Sequence, residues 1–518
     1  MQRYKILWVD DEIDLLKPYV LTLKEKNFQI NTFNNPYSIL EYIDENNDFD
    51  LILLDENMPG KSGLTLIKDI KDRKPFVPII MITKNEEENI MNEAIGSMIS
   101  DYLIKPLNPN QLLISIKKVL QNSELVSEKI KVDYLNFFNN LDNKISNCKS
   151  HLDWINLYKE FVFWEINIEE SSKNNFDDFL SSQKKELNSK FSNFVINNYE
   201  DWITRNESSP VMSHNILSKR LFKHLGSKPI FLIVIDNLRY DQWKMIESSI
   251  TSNFRVDDES LYYSILPTAT QYSRNAIFSG LKPIEIQNKF PKWWKFDHEE
   301  GGKNLFEEDL LREQIKRLNT NIIFSFHKIT QLVQSQQLLK NLQNYLRDNL
   351  TVIVYNFVDM ISHAKTEMEI IKELAPDNKA YRSLTLSWFR NSQLKKILNK
   401  SAELGFQLLL TTDHGTINVK KPSPVIGDKE TSLNLRYKTG RSITYDAKDV
   451  LSLKDPNHLG LPSTSINSEY IFANQNNYFV YKNNFNHYAN FFKNTFQHGG
   501  VSLEEMIIPF VQLNPKIK

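Results

Sequence analysis

The residues most able to do chemistry are Thr411-Thr412-Asp413-His414-Gly415, where an apolar run from Phe406 to Leu410 ends in an acid and an imidazole side by side. In an open α/β sheet ligands collect just beyond the carboxyl ends of the strands, so this pairing is where a metal ion would sit. Two other apolar runs end the same way. Phe231–Ile235 leads into Asp236, and Thr351–Val358 leads into Asp359, with His363 four residues on and on the same face of a helix if one starts there. A fourth stretch, His498-Gly499-Gly500, supplies another imidazole. The single cysteine, Cys148, excludes an internal disulfide framework and a thiolate cage, which leaves oxygen and nitrogen ligands.

A second group of chemically able residues lies near the start. Runs with strand character at Lys5–Val9, Phe28–Thr32, Leu51–Leu54, Ile79–Ile82 and Tyr102–Ile104 alternate with helical patterns, the last helix running from Asn108 to about Leu120. Five such units predict a parallel sheet covered on both faces. Asp10-Asp11-Glu12 follows the first strand, Asp55 the third, Thr83 the fourth and Lys105-Pro106 the fifth. Carboxylates, a hydroxyl and an ammonium at one sheet edge suit Mg²⁺ and a phosphoryl group.

Those positions, with Met58-Pro59-Gly60, resemble the receiver domain of two-component response regulators, a flavodoxin-like (βα)5 fold. The resemblance implies that Asp55 accepts a phosphoryl group from a sensor histidine kinase. It also implies that Asp10, Asp11 and Asp55 hold Mg²⁺ with the backbone carbonyl of Asn57, that Lys105 pairs with the phosphoryl oxygens, and that Thr83 and Tyr102 switch in response.

Between the two groups, few Gly or Pro residues interrupt Leu120–Trp202, and apolar residues recur at helical spacing: Tyr134, Phe137, Phe138, Leu141 and Ile145, then Leu157, Tyr158, Phe161 and Trp164. With a polar break at Ser171–Asp177 and a third run at Phe179–Tyr199, three helices packed as a bundle is the economical expectation. The bundle is suited to relaying receiver dimerisation onward. No helix-turn-helix with a basic reading helix is visible, which disfavours direct DNA binding. Lys plus Arg (63) nearly balances Asp plus Glu (64), so no general nucleic-acid or membrane footprint is expected. Absence of a signal-like start or a stretch of about 20 apolar residues predicts a soluble cytoplasmic protein.

The αβ pattern returns after about residue 206. Leu266-Pro267-Thr268-Ala269-Thr270 turns into a short helix ending at Ser279-Gly280, and a hydroxyl there lies in the positive field of a helix N-terminus. Alone, Thr270 would read as an N-cap. Together, Asp236, Pro267-Thr268-Ala269-Thr270, Asp359 with His363, Asp413-His414-Gly415 and His498-Gly499-Gly500 followed by Glu504-Glu505-Met506-Ile507-Ile508-Pro509 resemble the PglZ branch of the alkaline phosphatase superfamily. The resemblance implies two Zn²⁺ (Mn²⁺ being equally suited to the ligands). One would be held by Asp359, His363 and His498 and the other by Asp236, Asp413 and His414, with Thr270 bridging as nucleophile and Thr268 the runner-up. Sulfatase chemistry is disfavoured, the cysteine lying outside this half.

Arg274 could clamp a phosphate oxygen or form a surface salt bridge. Lys429, Arg436 and Lys438 belong to a charged stretch expected to be an exposed loop, or else a lid over an anionic substrate. His327, His458 and His487 are expected to be structural.

The expected organisation is thus a receiver (1–122), a helical bundle (123–205) and a PglZ-like α/β domain (206–518). That order resembles a family of response regulators linked to type IX secretion. It implies dimerisation on phosphorylation, contact with a sigma factor or a secretion component, and phosphodiesterase action on nucleotide or oligonucleotide phosphodiesters. The alternative is a phosphorylation-dependent docking protein whose metal site is mainly structural.

Overall fold

The computed structural model describes residues 4–46, 48–74, 77–84, 99–171, 177–205, 209–226, 228–318, 321–428, 431–463 and 467–516. The chain forms two compact units, one carrying the residues up to Asn136 and the other nearly all that follow.

In the first unit, β1 (Lys5–Val9), β2 (Gln29–Phe33), β3 (Leu51–Asp55), β4 (Ile79–Thr83) and β5 (Asp101–Ile104) form one sheet in the order β2-β1-β3-β4-β5. All neighbouring strands in it pair in parallel. Successive side chains point to opposite faces, so Ile6, Trp8, Leu51 and Leu53 enter one core while Leu7, Val9, Ile52 and Leu54 enter the other. That two-sided burial is why these strands are continuously apolar. Helices Pro36–Glu45 and Gly63–Arg73 start where Asn35 and Ser62 cap their first N–H groups. This is the flavodoxin-like receiver fold. The helix expected between the fourth and fifth strands lies outside the described residues.

One boundary differs from expectation. The helix thought to stop near Leu120 runs unbroken from Pro109 to Asn139, since no Gly or Pro interrupts it after Pro109. The expected division at 122/123 therefore falls inside a helix.

The second unit is built on a mixed sheet. Its strands, in chain order, are β6 (Ile230–Ile235), β7 (Phe254–Tyr263), β8 (Phe324–Ile329), β9 (Leu350–Tyr355), β10 (Gln407–Thr411), β11 (Ile417–Asn418), β12 (Lys421–Val425), β13 (Tyr437–Arg441), β14 (Val450–Leu453), β15 (Ser468–Ala473), β16 (Asn477–Tyr481), β17 (Phe496–Gln497) and β18 (Ile507–Pro515). Six of them make the central sheet, β7-β18-β10-β6-β9-β8, and the others form small sheets beside it. β8, β9, β6 and β10 are parallel, so their carboxyl ends share one edge. β18 is antiparallel to both of its neighbours.

The helices Leu141–Asn147, His151–Ser171 and Asp177–Thr204 are not a bundle standing apart. They pack into this second unit. Phe191 and Trp202 lie against Tyr263 at ring distances of 6.3 and 5.0 Å. Tyr263 Oη donates to His151 O at 2.9 Å, and Asn188 Oδ1 accepts from Leu503 N at 2.8 Å. Their aromatic stripes needed a partner surface, and the output half supplies it. Among the described residues no helix is long and apolar enough to cross a membrane.

Candidate metal centres

In the first unit, β1 and β3 bring Asp10 and Asp55 together as buried acids, with Asp11 exposed beside them. Ligand atoms of the three lie within 4.8 Å of one another. Lys105 Nζ bridges Asp10 Oδ2 at 2.8 Å and Asp55 Oδ1 at 2.6 Å, and the N–H of Asn57 donates to Asp55 Oδ2 at 3.1 Å. Burial pushes the Asp55 carboxyl up despite Lys105. The Lys105 ammonium is held above its ordinary range because its two acids outweigh its own burial. Thr83 is fully buried and donates to the Glu56 carboxylate, and Tyr102 packs half-buried on the core beneath β4 and β5.

In the second unit, Asp236 follows β6, Asp359 and His363 lie on the helix Phe357–Glu367 after β9, and Asp413 and His414 follow β10. Ligand atoms of Asp359, His363 and His498 lie within 4.8 Å of one another, as do those of Asp236, Asp413 and His414. The two groups adjoin, since the rings of His414 and His498 stack at 4.2 Å. His363 Nε2 lies 3.4 Å from Asp359 Oδ2 on an imidazole that remains largely exposed.

The site's chemistry fits divalent cations. The Nδ1 atoms of His414 and His498 engage carbonyls, Gly415 O at 3.1 Å and Thr268 O at 3.2 Å. That fixes the tautomer and turns each Nε2 lone pair toward the acids. Burial pushes both imidazoles down to about 4, so they are neutral donors at physiological pH. Asp413 is fully buried, and its Oδ2 has no hydrogen-bond partner among the described residues. Burial, with Asp236 beside it, pushes Asp413 well above the usual carboxylate range and raises Asp359 as well. Burial acts upward on Asp236 too, but Arg274 and His414 outweigh it and hold that carboxyl low. A divalent cation is the natural complement to such acids.

The two threonines part company. Thr268 is buried, donating to Gly500 O at 2.9 Å and accepting from Gly499 N at 3.0 Å, so its hydroxyl is sealed into the loop that carries His498. Thr270, at the start of the helix Thr270–Ser279, faces the acids: its Oγ lies 3.0 Å from His414 Nε2 and 3.4 Å from Asp236 Oδ1.

Several charged residues sit where the sequence did not put them. Arg274 is neither a surface salt bridge nor a free clamp; it is buried, with Nη1 2.6 Å from Asp236 Oδ2 and Nε on Glu307. Arg436 and Lys438 do not lie on an exposed loop. Arg436 forms a fully buried two-pronged pair with Glu505, and Lys438 lies over the Tyr481 ring and donates to Ser432 O at 2.9 Å. Lys429 lies outside the described residues. His327 packs edge-on to Tyr345, His458 lies 3.3 Å from Glu200, and His487 stacks in an aromatic helix; none belongs to a candidate metal group among the described residues.

The sequence reading missed Asn237, whose Nδ2 donates to Asp359 Oδ1 at 3.2 Å and whose N–H donates to Asp413 Oδ1 at 3.3 Å. Its left-handed backbone (φ 64°) is the signal an Asp-Asn step after a buried strand could have given.

Residues 218–513 match the family model of the BREX system PglZ alkaline phosphatase-like domain, 6–117 that of the response regulator receiver domain, and 124–203 that of the PorX response regulator linker domain. The regulatory protein VanR of Enterococcus faecium is 37% identical over 119 residues, covering 23% of this chain and 50% of that protein. The transcriptional regulatory protein ResD of Bacillus subtilis is 32% identical over 124 residues, 24% of this chain and 50% of that one. A crystal structure of the chemotaxis protein CheY4 from Vibrio cholerae is 28% identical and covers 23% of this chain and 100% of that one, with a TM-score of 0.22. The chain spans about half the length of the curated relatives it matches.

Proposed function

Because the chain belongs to the PglZ alkaline phosphatase-like family, with a response-regulator receiver and a PorX-type linker ahead of that domain, we propose that phosphorylation of Asp55 controls a metal-dependent phosphodiesterase whose nucleophile is Thr270. Two-component regulation follows from the receiver, which implies a phosphodonor such as a sensor histidine kinase. The PglZ domain supports a hydrolase of the alkaline phosphatase superfamily.

The finer reading rests on one observation, that Thr270 Oγ faces ligand atoms of Asp236 and His414, alone among the hydroxyls of the described residues, while Thr268 is sealed away. Asp359, His363 and His498 would hold one Zn²⁺ or Mn²⁺, and Asp236, Asp413 and His414 the other. When bound, such a pair lowers the charge on the reacting phosphoryl group and its leaving oxygen.

The chain's own part is positioning. Thr270 Oγ is held 3.4 Å from Asp236 Oδ1 and 3.0 Å from His414 Nε2, so a cation on those two ligand atoms would meet the hydroxyl oxygen, and Thr270 lies at the N-terminal end of a ten-residue helix, where an anionic phosphoryl group is favoured. Thr270 Oγ attacks phosphorus, the bond to the leaving alcohol breaks, and the alcohol departs with a proton. Water then attacks the phosphothreonine, releasing phosphate monoester and restoring the hydroxyl. In the receiver, Asp10, Asp11, Asp55 and the Asn57 carbonyl would hold Mg²⁺, with Lys105, Thr83 and Tyr102 reporting the phosphoryl group.

Nucleotide or oligonucleotide diesters are the proposed substrates. Dimerisation on phosphorylation, and contact with a sigma factor or a type IX secretion component, are the proposed outputs. The test is hydrolysis of an aryl phosphodiester by the full chain, with metal content measured and with or without acetyl phosphate. Wild type should turn over and Thr270→Ala should not; equal rates would refute the nucleophile. Bound metal without turnover on any phosphoester would favour the docking reading.

A further inference from the structure

Asp236 offers its two carboxylate oxygens to different neighbours. Oδ1 faces Thr270 Oγ at 3.4 Å and His414 Nε2 at 3.9 Å, whereas Oδ2 accepts from Arg274 Nη1 at 2.6 Å. Arg274 is gripped from behind by Glu307, whose other oxygen lies 2.9 Å from Lys328 Nζ. Lys328 also donates to Asn304 O at 2.9 Å, and Asn304 Nδ2 donates to Thr270 O at 3.0 Å. Charges of alternating sign thus run from half-exposed Lys328 through Glu307 and Arg274 to Asp236, the last three with side chains 2% exposed. At that burial Arg274 cannot reach a substrate without leaving two carboxylates uncompensated.

We propose that Arg274 and Glu307 are a positioning pair for Asp236. Arg274 is a resident counter-ion that occupies Oδ2 and so turns Oδ1 toward Thr270 and His414. Glu307 offsets the guanidinium charge, so that a divalent cation is not repelled from the same carboxylate. The inference rests on Asp236 being a metal ligand. It assigns the affinity of that site to a residue, Glu307, that touches neither substrate nor metal.

The test is zinc affinity of the full chain, measured by competition with a chromophoric chelator, alongside thermal unfolding and diester turnover. Glu307→Gln leaves the guanidinium charge to Asp236 and, at 3.7 Å, Asp413, both proposed ligands, and should weaken zinc binding by about tenfold or more, the range seen when an outer partner of a ligand is lost. Arg274→Met combined with Glu307→Gln removes one charge of each sign; affinity should recover most of that loss while turnover stays low, because Asp236 is no longer oriented. Lys328→Met, at the outer end, removes a positive charge and should move affinity the opposite way from Glu307→Gln. Unchanged affinity in a folded Glu307→Gln protein, or a Lys328→Met shift in the same direction, overturns the proposal. If Asp236→Asn abolishes binding while Glu307→Gln does nothing, the pair fails and the metal reading stands. A wild-type chain that binds no zinc sinks both.

Discussion

Arg436 and Glu505 offer the most direct test of how the two ligand-bearing loops are held together. Both side chains are fully buried, joined by Arg436 Nε to Glu505 Oε1 at 3.1 Å and Nη2 to Oε2 at 2.7 Å. Glu505 also accepts from Gly500 N at 2.9 Å, beside His498, and its carbonyl accepts from Gly415 N at 3.1 Å, beside His414. Arg436→Met would leave a buried carboxylate with hydrogen bonds but no counter-charge, a loss of about 3–5 kcal/mol. The second unit holds roughly 380 residues; at about 2.1 cal/mol/K each its unfolding entropy is about 0.8 kcal/mol/K, so its transition should fall by about 4–6 °C. Differential scanning calorimetry of the full chain reads this directly. The double variant Arg436→Met/Glu505→Leu removes the stranded charge but takes the partners of Gly500 N, Ser502 Oγ and Asn477 O, so it should lie between the single variant and wild type. A single variant within 1 °C of wild type by calorimetry, or a double variant worse than the single, would refute the reasoning, since about 3 kcal/mol should be plainly visible.

The two threonines should separate by readout. Thr268→Ala should lower stability by about 1–3 kcal/mol, because Gly499 N loses its buried acceptor, whereas Thr270→Ala should change stability by less than about 0.5 kcal/mol and be detected in turnover. Lys438 is pushed down to about 7 by burial, with Asp297 opposing only in part. The unfolded chain therefore binds more protons than the folded one between pH 7 and the ordinary lysine range, and stability should rise with pH across that window. Lys438→Met should flatten this rise in urea titrations at pH 6, 7.5 and 9, and be the more stable protein at pH 6. At Gly415 a Cβ would lie 1.9 Å from the backbone oxygen of Glu504. Gly415→Ala must therefore displace the loop, and zinc content per chain should drop with stability down by about 1–3 kcal/mol.

The receiver sheet was legible because its central strands are short and apolar with polar residues at one edge, and β1, β3 and β4 begin where the pattern puts them. The acids and imidazoles of the second half were legible for the same reason: a strand end tells where Asp236 or Asp413 emerges. What could not be read was where the charges go. Arg274, Arg436 and Lys438 look like surface residues because their partners, Glu307, Glu505 and Tyr481, lie 33, 69 and 43 positions away in sequence, and no local pattern announces a pairing made by the fold. The helix was expected to end near Leu120, where the receiver pattern is complete, but the end of a domain pattern does not stop a helix that no Gly or Pro interrupts.

The place of β18 has a consequence for how this molecule is made. It lies between β7 and β10, paired with β7 from Ile507 to Pro515 and with β10 over Phe510–Leu513, and the short stretch leading into it carries His498, Gly500 and Glu505. Until the ribosome has released residues up to Pro515, the central sheet is split between β7 and β10, and each of those strands has a bare edge. A nascent chain thus carries Thr270 and all six proposed zinc ligands, His498 among them, before β18 can close the sheet. A chain that has not yet completed β18 therefore carries its proposed ligands on an open, aggregation-prone sheet, and they are held in their final arrangement only once β18 is in place.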